Sequence, residues 1–196
     1  MKIVFFDFYR TLSNSRYFEI IQSELSIKLD IIFRESDNDL CNRWWNGKVH
    51  TGEFVEELAI LLNCRSSILL DSLKNSLKLI SFNEKVFNSV EKIRQGGIKT
   101  GIATINSDYF TNVIVPYFNL ESKFDFILNS SDYKTLNKPE MIKRTLDNLN
   151  LSTSDVLLID DNERILEDFK KIGGNVFFYH NDDDYDIWFK SELLKW

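Results

Sequence analysis

Five short apolar runs, each flanked by stretches with helical spacing, restrict this chain to very few architectures. They occupy residues 3–6, 98–103, 126–128, 156–159 and 176–178. Each is rich in β-branched or aromatic residues, and several lack polar alternation, the pattern of strands covered on both faces of a parallel sheet. Helix signals lie between them. Asn83 stands where it can cap a helix carrying the stripe Val86, Val90 and Ile93, ended by Gly96 and Gly97. Pro139 suits the first turn of a helix running to about Asn150, and the helix after Asp161 stops at Gly173 and Gly174. Strand and helix in alternation specify an α/β, doubly wound parallel sheet.

Residues 13–81 break that rhythm. They contain no convincing strand, only three or four helical patterns, one marked by Tyr17, Ile21 and Leu25 and another by Phe54, Leu58 and Leu61. A helical insertion after the first strand, acting as a cap over the carboxyl edge of the sheet, is the economical reading. The core then comprises residues 1–12 and 82–196, and the cap residues 13–81.

Composition removes several function classes. With 24 basic and 30 acidic side chains the formal net charge is −6, a sign that argues against a large nucleic-acid footprint, which needs a basic face. No apolar run approaches the length that spans a bilayer. The opening MKIVFFDFYR places an aspartate straight after a short apolar run, which is not a secretory signal. Cys41 and Cys64 are too few for a disulfide framework and read as inert thiols. The expectation is a soluble, cytoplasmic protein, monomeric or homodimeric.

In an open parallel sheet, ligands bind beyond the carboxyl ends of the strands. Asp7 follows the first run, Thr104 and then Asn106 the second, and Asp160 and Asp161 the fourth, while Lys138 opens the helix before the fourth. Three carboxylates, a hydroxyl and an ammonium therefore converge on one edge. Crowded carboxylates raise one another's pKa values unless a cation offsets them, and Mg²⁺ is a hard dication that binds through a few carboxylates and a substrate phosphate. An aspartate there can act as nucleophile, with Thr104 and Lys138 holding the phosphoryl group.

These residues resemble the four motifs of the haloacid dehalogenase (HAD) superfamily, in order, from Lys2 to about Phe178. Motif one, a strand followed by Asp-x-Asp-x-Thr, appears as Asp7-Phe8-Tyr9-Arg10-Thr11; motif two as Thr104; motif three as Lys138-Pro139; motif four as Asp160-Asp161. The WWNGKVHTGEF stretch is similar to a cap turn of the subgroup that includes sugar-phosphate phosphatases. The resemblance implies a HAD-like Rossmannoid core with an α-helical cap. It also implies a Mg²⁺-dependent phosphatase acting on a small phosphorylated metabolite through an aspartyl-phosphate. In that reading Asp7 is nucleophile and metal ligand, Tyr9 a metal ligand through its carbonyl, and Asp160 and Asp161 position the metal. Tyr9, Arg10, Thr104, Asn106 and Lys138 face the substrate.

The departures from the family pattern carry information. Tyr9 occupies the place of the second aspartate, which in the family protonates the leaving oxygen and activates the hydrolytic water. A tyrosine can donate a proton but is a poor base at neutral pH. This supports an alternative, a non-catalytic phospho-ligand-binding or regulatory protein on the same scaffold. Tyrosine at this place is also similar to the true 2-haloacid dehalogenases, yet those lack the acidic pair, and Asp160-Asp161 would repel a haloacid carboxylate. Arg10 stands where the family usually has glycine, and either alters the turn after the nucleophile, clamps an anion or points to solvent. Ile165 replaces a polar residue common after the acidic pair.

Trp44, Trp45, Arg43 and Lys48 either line the inner face of the cap or pack its helices, and His50 reads as polar surface in a turn. The acidic run Asp182, Asp183, Asp184 and Asp186 reads as a solvated loop. Ile187, Trp188, Leu194 and Trp196 read as apolar anchors that pack on their own domain.

Overall fold

The computed structural model describes residues 1–34 and 38–192. Five strands, β1 (Ile3–Phe6), β2 (Lys99–Thr104), β3 (Phe126–Asn129), β4 (Val156–Asp160) and β5 (Asn175–Phe178), form one sheet in the order β3-β2-β1-β4-β5. Every neighbouring pair is parallel. Each strand expected from the apolar runs is present, with ends moved by one residue at most. The fold is the α/β doubly wound sheet expected.

Alternate residues of the sheet supply two separate cores. Ile3, Phe5, Val156 and Leu158 pack with Ile142 and Leu146 of α8 (Lys138–Leu149), and with Leu166 and Phe169 of α9 (Glu163–Lys171). Val4, Phe6, Leu157 and Ile159 face the other way, toward Val86, Val90 and Ile93 of α5 (Glu84–Gln95) and Tyr185 and Phe189 of α10 (Asp182–Ser191). Both faces are thus covered, which is why β1 is an unbroken Ile-Val-Phe-Phe. A Cβ at Gly101 would come within 2.5 Å of the Phe5 ring, so glycine alone lets β2 lie against it.

Four helices are inserted between β1 and α5: α1 (Ser23–Arg34), α2 (Asp39–Trp45), α3 (Thr51–Leu62) and α4 (Ser66–Ser76). The two chain crossings run side by side, with Ser13 and Phe82 forming an antiparallel bridge. Asn14 Nδ2 donates to Asn83 Oδ1 at 2.7 Å, and Ser15 Oγ donates to the Leu79 carbonyl at 3.0 Å. Two short helices, α6 (Val115–Tyr117) and α7 (Ser130–Tyr133), precede and follow β3.

Several local expectations are corrected. Tyr17 and Ile21 precede α1; Phe18, at φ 60°, turns the chain out of helical geometry there. Leu61 is exposed, because the buried stripe of α3 is Phe54, Val55, Leu58, Ala59 and Leu62. Asn83 occupies the cap position of α5, but its side-chain amide donates to the Thr11 carbonyl at 2.7 Å instead of capping the helix. The acidic run is no loop. Asp182, Asp183 and Asp184 form the first turn of α10, where the helix dipole favours them, and Asn181 caps them. Ile187 is exposed, whereas Trp188 stacks on Phe177 at 4.0 Å; Leu194 and Trp196 lie outside the described residues.

Among the described residues, no helix is long and apolar enough to cross a membrane.

Candidate active site

β1 is the central strand, flanked by β2 and β4, and the register aligns Phe6 with both Ile102 and Ile159. Asp7 continues this ladder, donating its backbone N–H to the Ile159 carbonyl at 2.8 Å. Its side chain therefore emerges beside Asp160, the last residue of β4, while Thr104 closes β2 one step further out. The chain runs from β1 toward β2 and from β4 toward β5, so the β1/β4 boundary is the topological switch point where a crevice opens.

Lys138 completes the cluster from α8. Asn137 caps that helix by accepting from the Glu140 N–H at 3.0 Å, and Pro139 fits the first turn. An ammonium at a helix N-terminus opposes the dipole, so its partners must compensate. They do: Lys138 Nζ lies 2.7 Å from Asp7 Oδ1 and 2.5 Å from Asp160 Oδ2, with its side chain 2% exposed. Asp160 uses its other oxygen to accept from the Asn162 N–H at 2.9 Å.

The electrostatics are unbalanced toward negative charge. Burial, reinforced by Asp160 and Asp161 and opposed by Lys138, pushes the Asp7 carboxyl up to about 7. Burial and then Asp160 raise Asp161 as well, against the pull of Arg10. Burial by itself would lower Lys138, but the two carboxylates prevail and hold it above its ordinary value. Three carboxylates against one buried ammonium, with Arg10 on the exposed side of Asp161, leave a net negative charge that a divalent cation would offset. One oxygen from each of Asp7, Asp160 and Asp161 falls within 4.8 Å of the others. Oxygens on opposite sides of a Mg²⁺ ion are about 4.2 Å apart, so this spacing is on the scale that a shared ion requires. The donor set fits a hard dication.

The loop after Asp7 folds back tightly, with Leu12 N–H donating to the Asp7 carbonyl and Ser13 N–H to the Phe8 carbonyl. Within it Arg10 adopts φ 65°, the left-handed conformation natural to glycine. Its side chain is exposed, with Nη1 3.8 Å from Asp161 Oδ2 and the guanidinium 5.4 Å from the Tyr9 ring centroid. The Tyr9 phenol oxygen accepts from Arg16 Nε at 2.6 Å. Asn106 commits its side-chain carbonyl to the Tyr17 hydroxyl at 2.5 Å and to the Ser107 N–H at 2.9 Å. Ile165 is half-buried against the α8–α9 core.

Asp108 was not singled out in the sequence, although it lies two residues beyond Asn106. It accepts from the Thr51 hydroxyl at 2.5 Å, from the Thr51 N–H at 3.1 Å and from Trp44 Nε1 at 3.2 Å, with His50 Nδ1 at 3.4 Å. It thus caps α3 from the loop after β2. The Ser130 hydroxyl donates to the Trp45 carbonyl at 2.7 Å, and Lys134 Nζ to the Gly47 carbonyl at 2.8 Å. A Cβ at Gly47 (φ 61°) would lie 2.2 Å from the Ser131 carbonyl oxygen, so this corner sits against the sheet edge only as glycine. Trp44 is fully buried and stacks on Phe54 at 3.8 Å. Arg43 pairs with Glu57 and Asp39, and Lys48 is exposed. Packing, the second reading of this cluster, describes Trp44.

Several solved structures share this fold. A HAD family enzyme from Bacteroides thetaiotaomicron, described as a complex with magnesium and inorganic phosphate, is 15% identical with a TM-score of 0.76, covering 96% of this chain and 99% of that one. A predicted HAD-like family hydrolase from Porphyromonas gingivalis is 15% identical with a TM-score of 0.77, covering 98% of each chain. A HAD phosphatase from Thermococcus onnurineus is 16% identical with a TM-score of 0.66, covering 92% of this chain and 86% of that one. No curated protein sequence matches the chain. The family profile for haloacid dehalogenase-like hydrolases matches residues 4–178, and with the strand-end carboxylates described above the chain belongs to that family.

Proposed function

We propose that this protein is a Mg²⁺-dependent phosphatase of small phosphorylated metabolites, working through a phosphorylated Asp7. The buried contact of Lys138 with both Asp7 and Asp160, beside Asp161, is the observation that carries the reading. The fold likeness to an enzyme described with magnesium and inorganic phosphate supports it.

Mg²⁺ held by Asp7, the Tyr9 carbonyl, Asp160 and Asp161 would supply Lewis-acid neutralisation of the phosphoryl charge. The chain's own groups do the rest. An Asp7 oxygen attacks phosphorus as the bond to the leaving oxygen breaks, giving an acyl phosphate and an alcohol. Lys138 offsets charge on the nucleophile and the phosphoryl oxygens, and the Thr104 hydroxyl donates a hydrogen bond to one of them. Tyr9 occupies the sequence position of the family's proton donor, and with Arg16 as the donor to its oxygen it keeps a hydroxyl hydrogen to give. Water must then cleave the acyl phosphate without a carboxylate base, which makes that step slow. The inserted helices of residues 13–81 act as the cap, and Arg10 and Asn106 face the ligand.

A panel of metabolite phosphates assayed with and without Mg²⁺, with Asp7→Asn as blank, tests this. Metal-dependent phosphate release by the natural chain and none by Asp7→Asn is expected. Full activity in Asp7→Asn defeats the assignment. Phosphate or beryllofluoride binding without turnover favours the second reading, a phospho-ligand-binding protein, for which Tyr9 in place of a carboxylate is the specific observation.

A further inference from the structure

A cavity of about 560 Å³ opens next to Asp161, lined by Arg10, Asn14, Asn83, His180 and Asp182 among others. It sits beyond the carboxyl ends of β4 and β5 and against both crossings to the inserted helices. We infer that it is a second anion site, taking a carboxylate or phosphate group through Arg10. The inference rests on the proposed phosphoryl site only where the anion is part of the substrate.

Arg10 is the source of the attraction. A side chain at φ 65° costs about 1 kcal/mol relative to glycine, so the turn is better served by glycine unless the guanidinium does something. Its carboxylate neighbour is Asp161, at 3.8 Å and therefore not in a tight hydrogen bond. Several of the other groups facing the cavity are already engaged. Asn83 bridges Asn14 and the Thr11 carbonyl, Asn181 caps α10, and Asp182 Oδ1 accepts from the Tyr179 hydroxyl at 2.8 Å. His180 lies nearly parallel to the Phe178 ring at 6.3 Å.

Two carboxylates, Asp161 and Asp182, oppose an anion here. Asp161 belongs to the acidic cluster, and a cation bound there takes it from Arg10. The guanidinium would then lose its ion-pair partner, and the repulsion from Asp161 would fall. Metal and anion should consequently bind with positive coupling.

Calorimetry on the full chain tests the site, with Ca²⁺ in place of Mg²⁺ to suppress turnover. One arm titrates 3-phosphoglycerate against glycerol 3-phosphate, which differ by a carboxylate; the other titrates malonate alone, with and without the metal. If the anion is carried on the substrate, the carboxylate-bearing ester binds about tenfold tighter, as one charge-assisted pair allows, and Arg10→Gly brings the ratio near one. If the anion is free, malonate binds the metal-loaded protein and not Arg10→Gly. A melting temperature for Arg10→Gly at or above that of the natural chain shows that folding is intact. Equal ester affinities with no malonate binding overturn the inference, as does a preference that survives Arg10→Gly. Failure of both esters beside Arg10-dependent malonate binding instead sinks the phosphoryl site and leaves this one standing.

Discussion

Arg16 donates its Nε hydrogen to the Tyr9 phenol oxygen at 2.6 Å, and its Nη1 lies 3.5 Å from Asp30 of α1. The residue at the usual place of the second motif aspartate is therefore tied to the inserted helices. Its oxygen is occupied as an acceptor, which leaves it a proton to give and little capacity to take one.

Tyr9→Asp should restore the missing base. Hydrolysis of a phosphomonoester with Mg²⁺ is expected to rise by about 10²-fold, the usual scale of general acid–base help. Steady-state turnover of p-nitrophenyl phosphate measures it. An unchanged or lower rate would mean that the site has diverged at more than this position.

Lys138→Met removes the buried ammonium and leaves Asp7 and Asp160 facing each other. Breaking a buried pair in this way costs about 3–5 kcal/mol, with relief at low pH where the carboxyls take up protons. Urea denaturation at pH 8 and pH 5 should show a large loss at the first and a smaller one at the second. Equal losses at both would show that Lys138 acts through packing alone.

The raised Asp7 carboxyl makes the proposed metal binding dependent on pH. Between the ordinary aspartate range and about pH 7 the folded protein holds a proton that the unfolded chain has released. Without metal, this group therefore lowers stability as pH rises through that window. A cation needs the ionised form, so the melting-temperature increase caused by Mg²⁺ is expected to grow from pH 5.5 to pH 8. A constant increase over that range counts against Asp7 as a ligand.

Asp108→Ala removes the acceptor shared by Thr51, Trp44 and His50. A loss of about 1–3 kcal/mol is expected from the stranded donors and the uncapped helix. Hydrogen exchange should quicken at the start of α3, near residues 51–54, before it changes in β1 or β4. Uniform acceleration across the chain would refute a local latch.

The sheet was readable because strands buried on both faces carry their signature within four to six consecutive residues. The strand-end groups Asp7, Thr104, Asp160 and Asp161 followed from it, since parallel strands place their carboxyl ends together. The inserted segment was less legible. Tyr17, Ile21 and Leu25 have helical spacing, yet Tyr17 is fixed by distant partners, its hydroxyl on Asn106 and its ring against Trp44 and Tyr109. Asp108 escaped notice for the same reason, because its donors lie 57 to 64 residues away in the chain. Arg10 was visible as a departure from glycine, but its approach to Asp161 depends on a backbone angle that spacing does not encode.

The narrow gateway formed by Ser13 against Phe82, and by Asn14 against Asn83, has a further consequence for how such a chain can change. Entry and exit of the helical insert are adjacent, so its length and makeup can be altered without shifting any strand of the sheet by a residue. The helices on one side of the doorway can then vary while the strand ends on the other side keep their acidic cluster in place.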